Sequence, residues 1–133
     1  MKYLLDTNAL IDYLRGQKAL VKKIDSTGEI VTSSIVAAEF YVGFHATNAS
    51  KSKLALAETK RLFKKHSPLS FDSDDGKETG RLIATFGLVK ERAIYRDVMI
   101  AAQAKMRSLT VITNNTSDFF RIVGLKVENW TIE

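Results

Sequence analysis

Short apolar runs alternate along the chain with longer stretches whose apolar residues recur every three or four positions. The first run, Lys2-Tyr-Leu-Leu-Asp6-Thr-Asn8, stops abruptly at three polar residues. An apolar run of this length, bounded by a polar turn, reads as a buried parallel strand. Ala9 to Leu14 follows as a helix, with Thr7 or Asn8 available to cap it. Arg15-Gly16 is a break, Lys18 to Ile24 a short helix, and Ser26 to Glu29 a turn. Ile30 to Ser33 is β-branched and predicts a second strand. Ser33 or Ser34 then caps a helix from about Ile35 to His45. After a polar loop over Thr47 to Ser52, a basic helix is expected from about Lys51 to Lys65. Its apolar stripe is Ala55, Leu56, Leu62 and Phe63, with Thr59 between them, and its lysines read first as a solvated face.

Pro68 ends that region, and Leu69-Ser-Phe71 suggests a third strand. Asp72 to Gly76 starts another helix, with acids in the first turn where they suit the helix dipole. Leu82, Ile83 and Phe86 supply its buried face, and Gly87 to Tyr95 is a connection. A helix over Arg96 to Arg107 precedes Leu109-Thr-Val-Ile-Thr113, the clearest strand in the chain. A loop from Asn114, a helical turn at Asp118-Phe-Phe, a break at Gly124 and a last strand over Lys126 to Trp130 complete the pattern. Strands alternating with helices predict an α/β domain with a mainly parallel, five-stranded sheet flanked by helices.

Composition narrows this picture. The 133 residues fit one domain over 1–133, and 45% hydrophobic content is enough for a real core. No apolar run approaches the length of a membrane-spanning helix, and no basic segment leads into an apolar leader at the start. A cytoplasmic location without membrane contact is therefore expected. The absence of cysteine excludes disulfides and thiolate metal sites. Two distant histidines, His45 and His66, argue against a histidine-rich zinc site. The net charge of +5 suits a polyanionic partner, although many basic proteins bind none.

Four carboxylates stand where a core would not ordinarily want them. Asp6 ends the first strand, and Glu39 lies on an otherwise apolar helix. Asp97 opens a helix beside Ile100, Ala101 and Ala104, and Asp118 follows the strand 109–113. Each has a plainer role open to it: Glu39 as an arginine partner, the three aspartates as helix caps or dipole partners. Asp12, Asp72, Asp74 and Asp75 read as surface or cap residues. A lone buried carboxylate is costly, and converging carboxylates repel one another unless a cation joins them. Hard divalent ions prefer oxygen ligands, which this cysteine-free chain offers. If the strand 109–113 lies beside the first strand where the strand order reverses, Asp6 and Asp118 face one crevice.

The ordered set of Asp6-Thr-Asn8, Glu39 in Ser-Ile-Val-Ala-Ala-Glu, Asp97 in Arg-Asp-Val-Met-Ile-Ala-Ala-Gln-Ala, and Thr113-Asn-Asn-Thr-Ser-Asp118-Phe resembles the four signature blocks of PIN domains. The ending Gly124-Leu-Lys-Val-Glu-Asn-Trp130 is similar to the tail of VapC-like toxins, the ribonucleases of type II toxin–antitoxin pairs. The resemblance spans essentially the whole chain. It implies a single Rossmann-like domain and a Mg²⁺- or Mn²⁺-dependent endoribonuclease. Asp6 and Asp97 match the usual direct metal ligands, and Glu39 and Asp118 match the acids that complete the site. Asn8, Thr113 and Asn114 match supporting polar positions. The resemblance further implies RNA as substrate, a cognate antitoxin as partner and a homodimer. Tyr13, Phe40, Tyr41 and Phe44 are open either to such contacts or to the core. One departure stands out: many relatives have an acidic or amide residue just before the third acid, where this chain has Tyr95-Arg96. Arg96 is left to contact phosphate or to pair with an acid.

Two other readings compete. A PIN-like module binding RNA or protein without cleavage would have lost acids, and all four are present. A phosphatase with an aspartate nucleophile would want a second Asp two residues after Asp6, where Asn8 stands. No Gly-x-Gly-x-x-Gly follows a strand, which disfavours a dinucleotide site.

Overall fold

The computed structural model describes residues 2–27, 29–46, 49–122 and 124–131, with the side chains at 49–55, 118 and 120 outside that description. Five strands form one sheet: β1 (Tyr3–Leu5), β2 (Ile30–Ser33), β3 (Pro68–Leu69), β4 (Thr110–Ile112) and β5 (Val127–Glu128). Their order is β3-β2-β1-β4-β5, and every pairing is parallel. Leu4 lies between Val31 and Val111, so the central strand is flanked on both sides by β-branched neighbours. Leu4, Leu5 and Val111 are fully buried, as expected of a parallel sheet covered on both faces. The strand order reverses between β1 and β4, and crevices for ligands open at such a point beyond the carboxyl ends of the strands.

The helices are α1 (Thr7–Leu14), α2 (Lys18–Thr27), α3 (Ser34–Ala46), α4 (Ala49–Lys65), α5 (Ser73–Thr85), α6 (Tyr95–Met106) and α7 (Thr116–Phe120). A 3-10 turn, Arg92–Ile94, leads into α6 and gives structure to the connection expected there. α2 runs three residues past its expected end at Ile24. The third strand stops at Leu69, because the Phe71 amide turns to the Ser34 hydroxyl at 3.2 Å and Asp72 caps α5. Ser33 accepts from the Ile35 amide at 3.0 Å and so assists the start of α3. On α4, Thr59, Leu62 and Phe63 are buried while Lys60, Arg61, Lys64 and Lys65 are exposed, which is the solvated face its pattern implied. The expected roles of Thr47, Asn48, Lys51, Lys53 and Ala55 fall on positions or side chains outside the described residues.

Of the two roles the sequence left open to Asp75, surface or cap, the structure gives the second. It caps α5 through a reciprocal pair with Asp72 at 2.9 Å each way, and it is not a surface residue. It is 1% exposed, and Arg107 grips both its oxygens, at 2.7 and 2.9 Å. This pair joins α5 to the end of α6. Gln103, wholly buried on α6, joins that helix to the sheet by accepting from Ser33 and donating to the Leu69 carbonyl. α6 is thereby fixed, and with it the position of Asp97 in its first turn.

Candidate active site

Asp6 occupies the first residue after β1, and its carboxylate accepts from the Ala9 amide at 2.8 Å. It is thus the N-cap of α1, in place of Thr7 or Asn8. The cap does not exhaust its role, because the side chain is only 3% exposed. Burial pushes its carboxyl up to about 6, against the lowering effect of hydrogen bonds from Thr113 and Ala9. The negative charges of Asp97 and Asp12 raise it further. Among the described residues no lysine or arginine pairs with Asp6. Helix α1 needs an acceptor at its first turn, and the sheet places that acceptor in a buried position near the charges of Asp97 and Asp12.

Glu39 reaches the same end of the sheet from α3. The Thr7 hydroxyl donates to its Oε1 at 2.9 Å. Arg96 Nε forms an ion pair with that same oxygen at 2.9 Å. Glu39 is therefore tied to the residue after Asp6 and to the residue before Asp97. Asp97 is half-buried in the first turn of α6. Asp97 lies close enough to Asp6 to raise its carboxyl, and Glu39 is tied to the chain neighbours of both. Asp118 lies on the backbone of α7, which follows β4, but its side chain is outside the described residues.

The supporting positions divide. Thr113 is 1% exposed; its hydroxyl bonds Asp6 and accepts from the Asn115 amide at 2.9 Å. Asn114 is exposed and donates to Asp12 at 3.0 Å, which brings into the neighbourhood an acid that sequence reasoning left at the surface. Asn8 is exposed and, among the described residues, makes no side-chain hydrogen bond.

An open cleft of about 420 Å³ adjoins Asp97 and is lined by Lys90, Glu91, Arg92, Ile94 and Arg121. Arg121 pairs with Glu91 through both carboxylate oxygens, at 3.1 and 2.8 Å. Lys90 and Arg92 are exposed and make no ion pair among the described residues. Sequence reasoning passed over this cationic wall, whose signal was Lys90-Glu-Arg92 in the connection before Asp97.

Among the described residues, no three of the acids and histidines are gathered tightly enough to enclose a metal ion by themselves. The donor chemistry nevertheless fits a hard divalent ion. A desolvated carboxylate beside a second carboxylate, with no cation of its own, is a site that such an ion would relieve. Glu39, already engaged by Arg96, fits less well.

A family model described as PIN domain matches residues 3–125. The chain is 29% identical to the tRNA(fMet)-specific endonuclease VapC of Shigella flexneri, over 98% of this chain and 99% of that one. It is 26% identical to ribonuclease VapC2 of Haemophilus influenzae, over 98% of each. Among solved structures, DNA-bound VapBC from Salmonella typhimurium superposes with a TM-score of 0.80 at 29% identity, over 98% of each chain. FitAcB from Neisseria gonorrhoeae does so with a TM-score of 0.78 at 30% identity, over 96% of each.

Proposed function

The chain belongs to the PIN domain family, and we propose from that premise that it is a metal-dependent endoribonuclease, the toxin of a type II toxin–antitoxin pair. The observation that carries this reading is the buried Asp6 carboxylate, raised to about 6 and facing Asp97, with no basic partner among the described residues. The relatives' names support it: an endonuclease acting on tRNA(fMet), ribonucleases, and toxins solved with their antitoxins. We assign one domain over 1–133, Mg²⁺ or Mn²⁺ as the ion, RNA as the substrate and a cognate antitoxin as the partner. A homodimer working in the cytoplasm completes the proposal. No helix among the described residues is long and apolar enough to cross a membrane.

In this reading Asp6 and Asp97 would hold the divalent ion, and Glu39 and Asp118 would support the site beside them. A bound ion would supply Lewis acidity, which lowers the pKa of a water and offsets charge on a phosphate. The residues of the chain do the rest. Thr113 orients Asp6, and the Ala9 amide fixes the carboxylate's second direction. The rigid β1–α1 junction and the anchored α6 keep the two ligands in register. Lys90 and Arg92 hold the RNA backbone along the cleft beside Asp97. Water adds to phosphorus and the bond to the leaving ribose oxygen breaks. His45 is exposed in the last turn of α3, and His66 follows α4, so neither imidazole is offered to the crevice.

Purified protein would be tested against a panel of structured RNAs with Mg²⁺ or Mn²⁺, beside Asp6→Asn. Cleavage by the native chain alone, abolished by EDTA, is the expected result. Equal cleavage by both samples would defeat the assignment of the site.

A further inference from the structure

Arg96 stands next to the third acid, where the resemblance leads to an acidic or amide residue. Its guanidinium is committed to the second acid: Nε lies 2.9 Å from Glu39 Oε1. The same oxygen accepts from the Thr7 hydroxyl at 2.9 Å. Positive charge is therefore distributed unevenly over the crevice. Asp6 has no basic partner among the described residues, whereas Glu39 already has one. An arginine cannot shed its proton to relieve crowding by another cation. A divalent ion bound through Glu39 would lie against a permanent positive charge, on a carboxylate with one oxygen already doubly engaged. The Arg96 side chain is 56% exposed, so the rest of its fork is open to solvent. A guanidinium so presented suits a phosphate, which it meets through two parallel hydrogen bonds.

We infer that Arg96 is a built-in cation that takes the place of a second divalent ion. The chain binds one ion, at Asp6 and Asp97, and Glu39 serves to hold Arg96 over the crevice. The inference rests on the nuclease reading for the identity of the site, but its test requires no cleavage. It makes Arg96 the residue that supplies charge to the substrate phosphate on the side away from the ion.

The measurement is Mn²⁺ binding to the full chain, by calorimetry for the count and by electron paramagnetic resonance for ion pairing. Native protein and Arg96→Lys should each bind one ion with an uncoupled signal. Arg96→Gln should bind two, with the exchange coupling of neighbouring ions, and Glu39→Gln added to it should return the count to one. Two ions on native protein would overturn the inference. So would one ion on Arg96→Gln, or a second ion that survives in the double variant and therefore lies elsewhere. Failure of every variant to bind Mn²⁺ would defeat the metal reading itself, and is distinct from one ion in every variant, which defeats only the role of Arg96. Arg96 lies at the surface, and unchanged thermal unfolding of Arg96→Gln would confirm that the variant is folded.

Discussion

The hydroxyl of Thr113 donates to the carboxylate of Asp6, so the residue that follows β4 holds the residue that follows β1. Strand register makes this meeting obligatory. Leu5 pairs with Ile112, and each strand's next residue turns into the crevice. Thr113 also accepts from the Asn115 amide at 2.9 Å, which fixes the direction in which its hydrogen points. Partners of ligand residues commonly contribute ten- to a hundredfold to metal affinity. Thr113→Val should therefore weaken Mn²⁺ binding by roughly tenfold and raise the Asp6 pKa above about 6. Thr113→Ser should retain both. Carboxyl NMR titration with calorimetry would decide; an unmoved Asp6 pKa in the valine variant would remove Thr113 from the site.

Asp6 should cost the metal-free protein stability. Its carboxyl sits at about 6 in the fold against 3.8 ordinarily, so the folded state binds more protons than the unfolded state between those values. Stability contributed by the protonated form is complete below 3.8 and is lost as pH rises through about 6. The span amounts to about 3 kcal/mol at neutral pH. Asp6→Asn keeps an acceptor for the Ala9 amide and removes the charge. It should raise metal-free stability at pH 7.5 by about 1–3 kcal/mol while abolishing cleavage. Urea unfolding across pH 4 to 7.5 tests this. A variant less stable than native at pH 7.5 would contradict it.

The sequence made the sheet legible because parallel strands announce themselves as apolar runs, and Leu109 to Thr113 and Tyr3 to Leu5 do so plainly. The acids were legible for the opposite reason, as charges placed among Val36, Ile100 and Ala101. Asp75 was not. Its first-turn position suits a cap, and nothing nearby in the chain signals that Arg107, 32 residues away, buries it. For the Glu39–Arg96 pair the sequence offered both roles, an arginine partner for Glu39 and an acid for Arg96, but not that the two residues meet. Asp12 entered the neighbourhood through its charge on Asp6 and through Asn114, 102 residues on. Contacts between remote segments carry no local periodicity, so spacing could not show them.

The Asp75–Arg107 pair should dominate the acid sensitivity of the fold. The arginine's hydrogen bonds hold the Asp75 carboxyl below its ordinary value of 3.8, against the opposing effect of burial. A depressed carboxyl contributes stability that is present above the unfolded value and lost as pH falls through the folded one. Arg107→Ala leaves a carboxylate that is 1% exposed without its partner, and should cost about 2–3 kcal/mol at pH 7. It should also flatten the loss of stability below pH 4. The exposed Glu78–Arg81 pair is the control, and Arg81→Ala should leave the urea midpoint unchanged. Equal effects of the two substitutions would show that burial of Asp75 is not what matters.

RNA binding should draw on Lys90 and Arg92 rather than on the more numerous lysines of α4. Both faces are basic and exposed, so charge alone does not separate them. Position does: Lys90 and Arg92 line the cleft that contains Asp97, whereas Lys60, Arg61 and Lys64 cover the solvated side of a helix packed on α3. Each phosphate contact releases condensed counterions, so log affinity falls with log salt by about 0.7 per contact on a single strand. Lys90→Gln and Arg92→Gln should each reduce that slope by about 0.7. They should weaken binding to a metal-free, non-cleaved RNA about equally across sequences, because backbone contacts read no bases. Lys64→Gln should change neither slope nor affinity. Both cleft variants leave Asp6, Glu39 and Asp97 intact, so Mn²⁺ binding should be unaltered, which separates a lost phosphate contact from a damaged metal site. A slope that responds to Lys64 and not to Arg92 would move the RNA path from the cleft to α4.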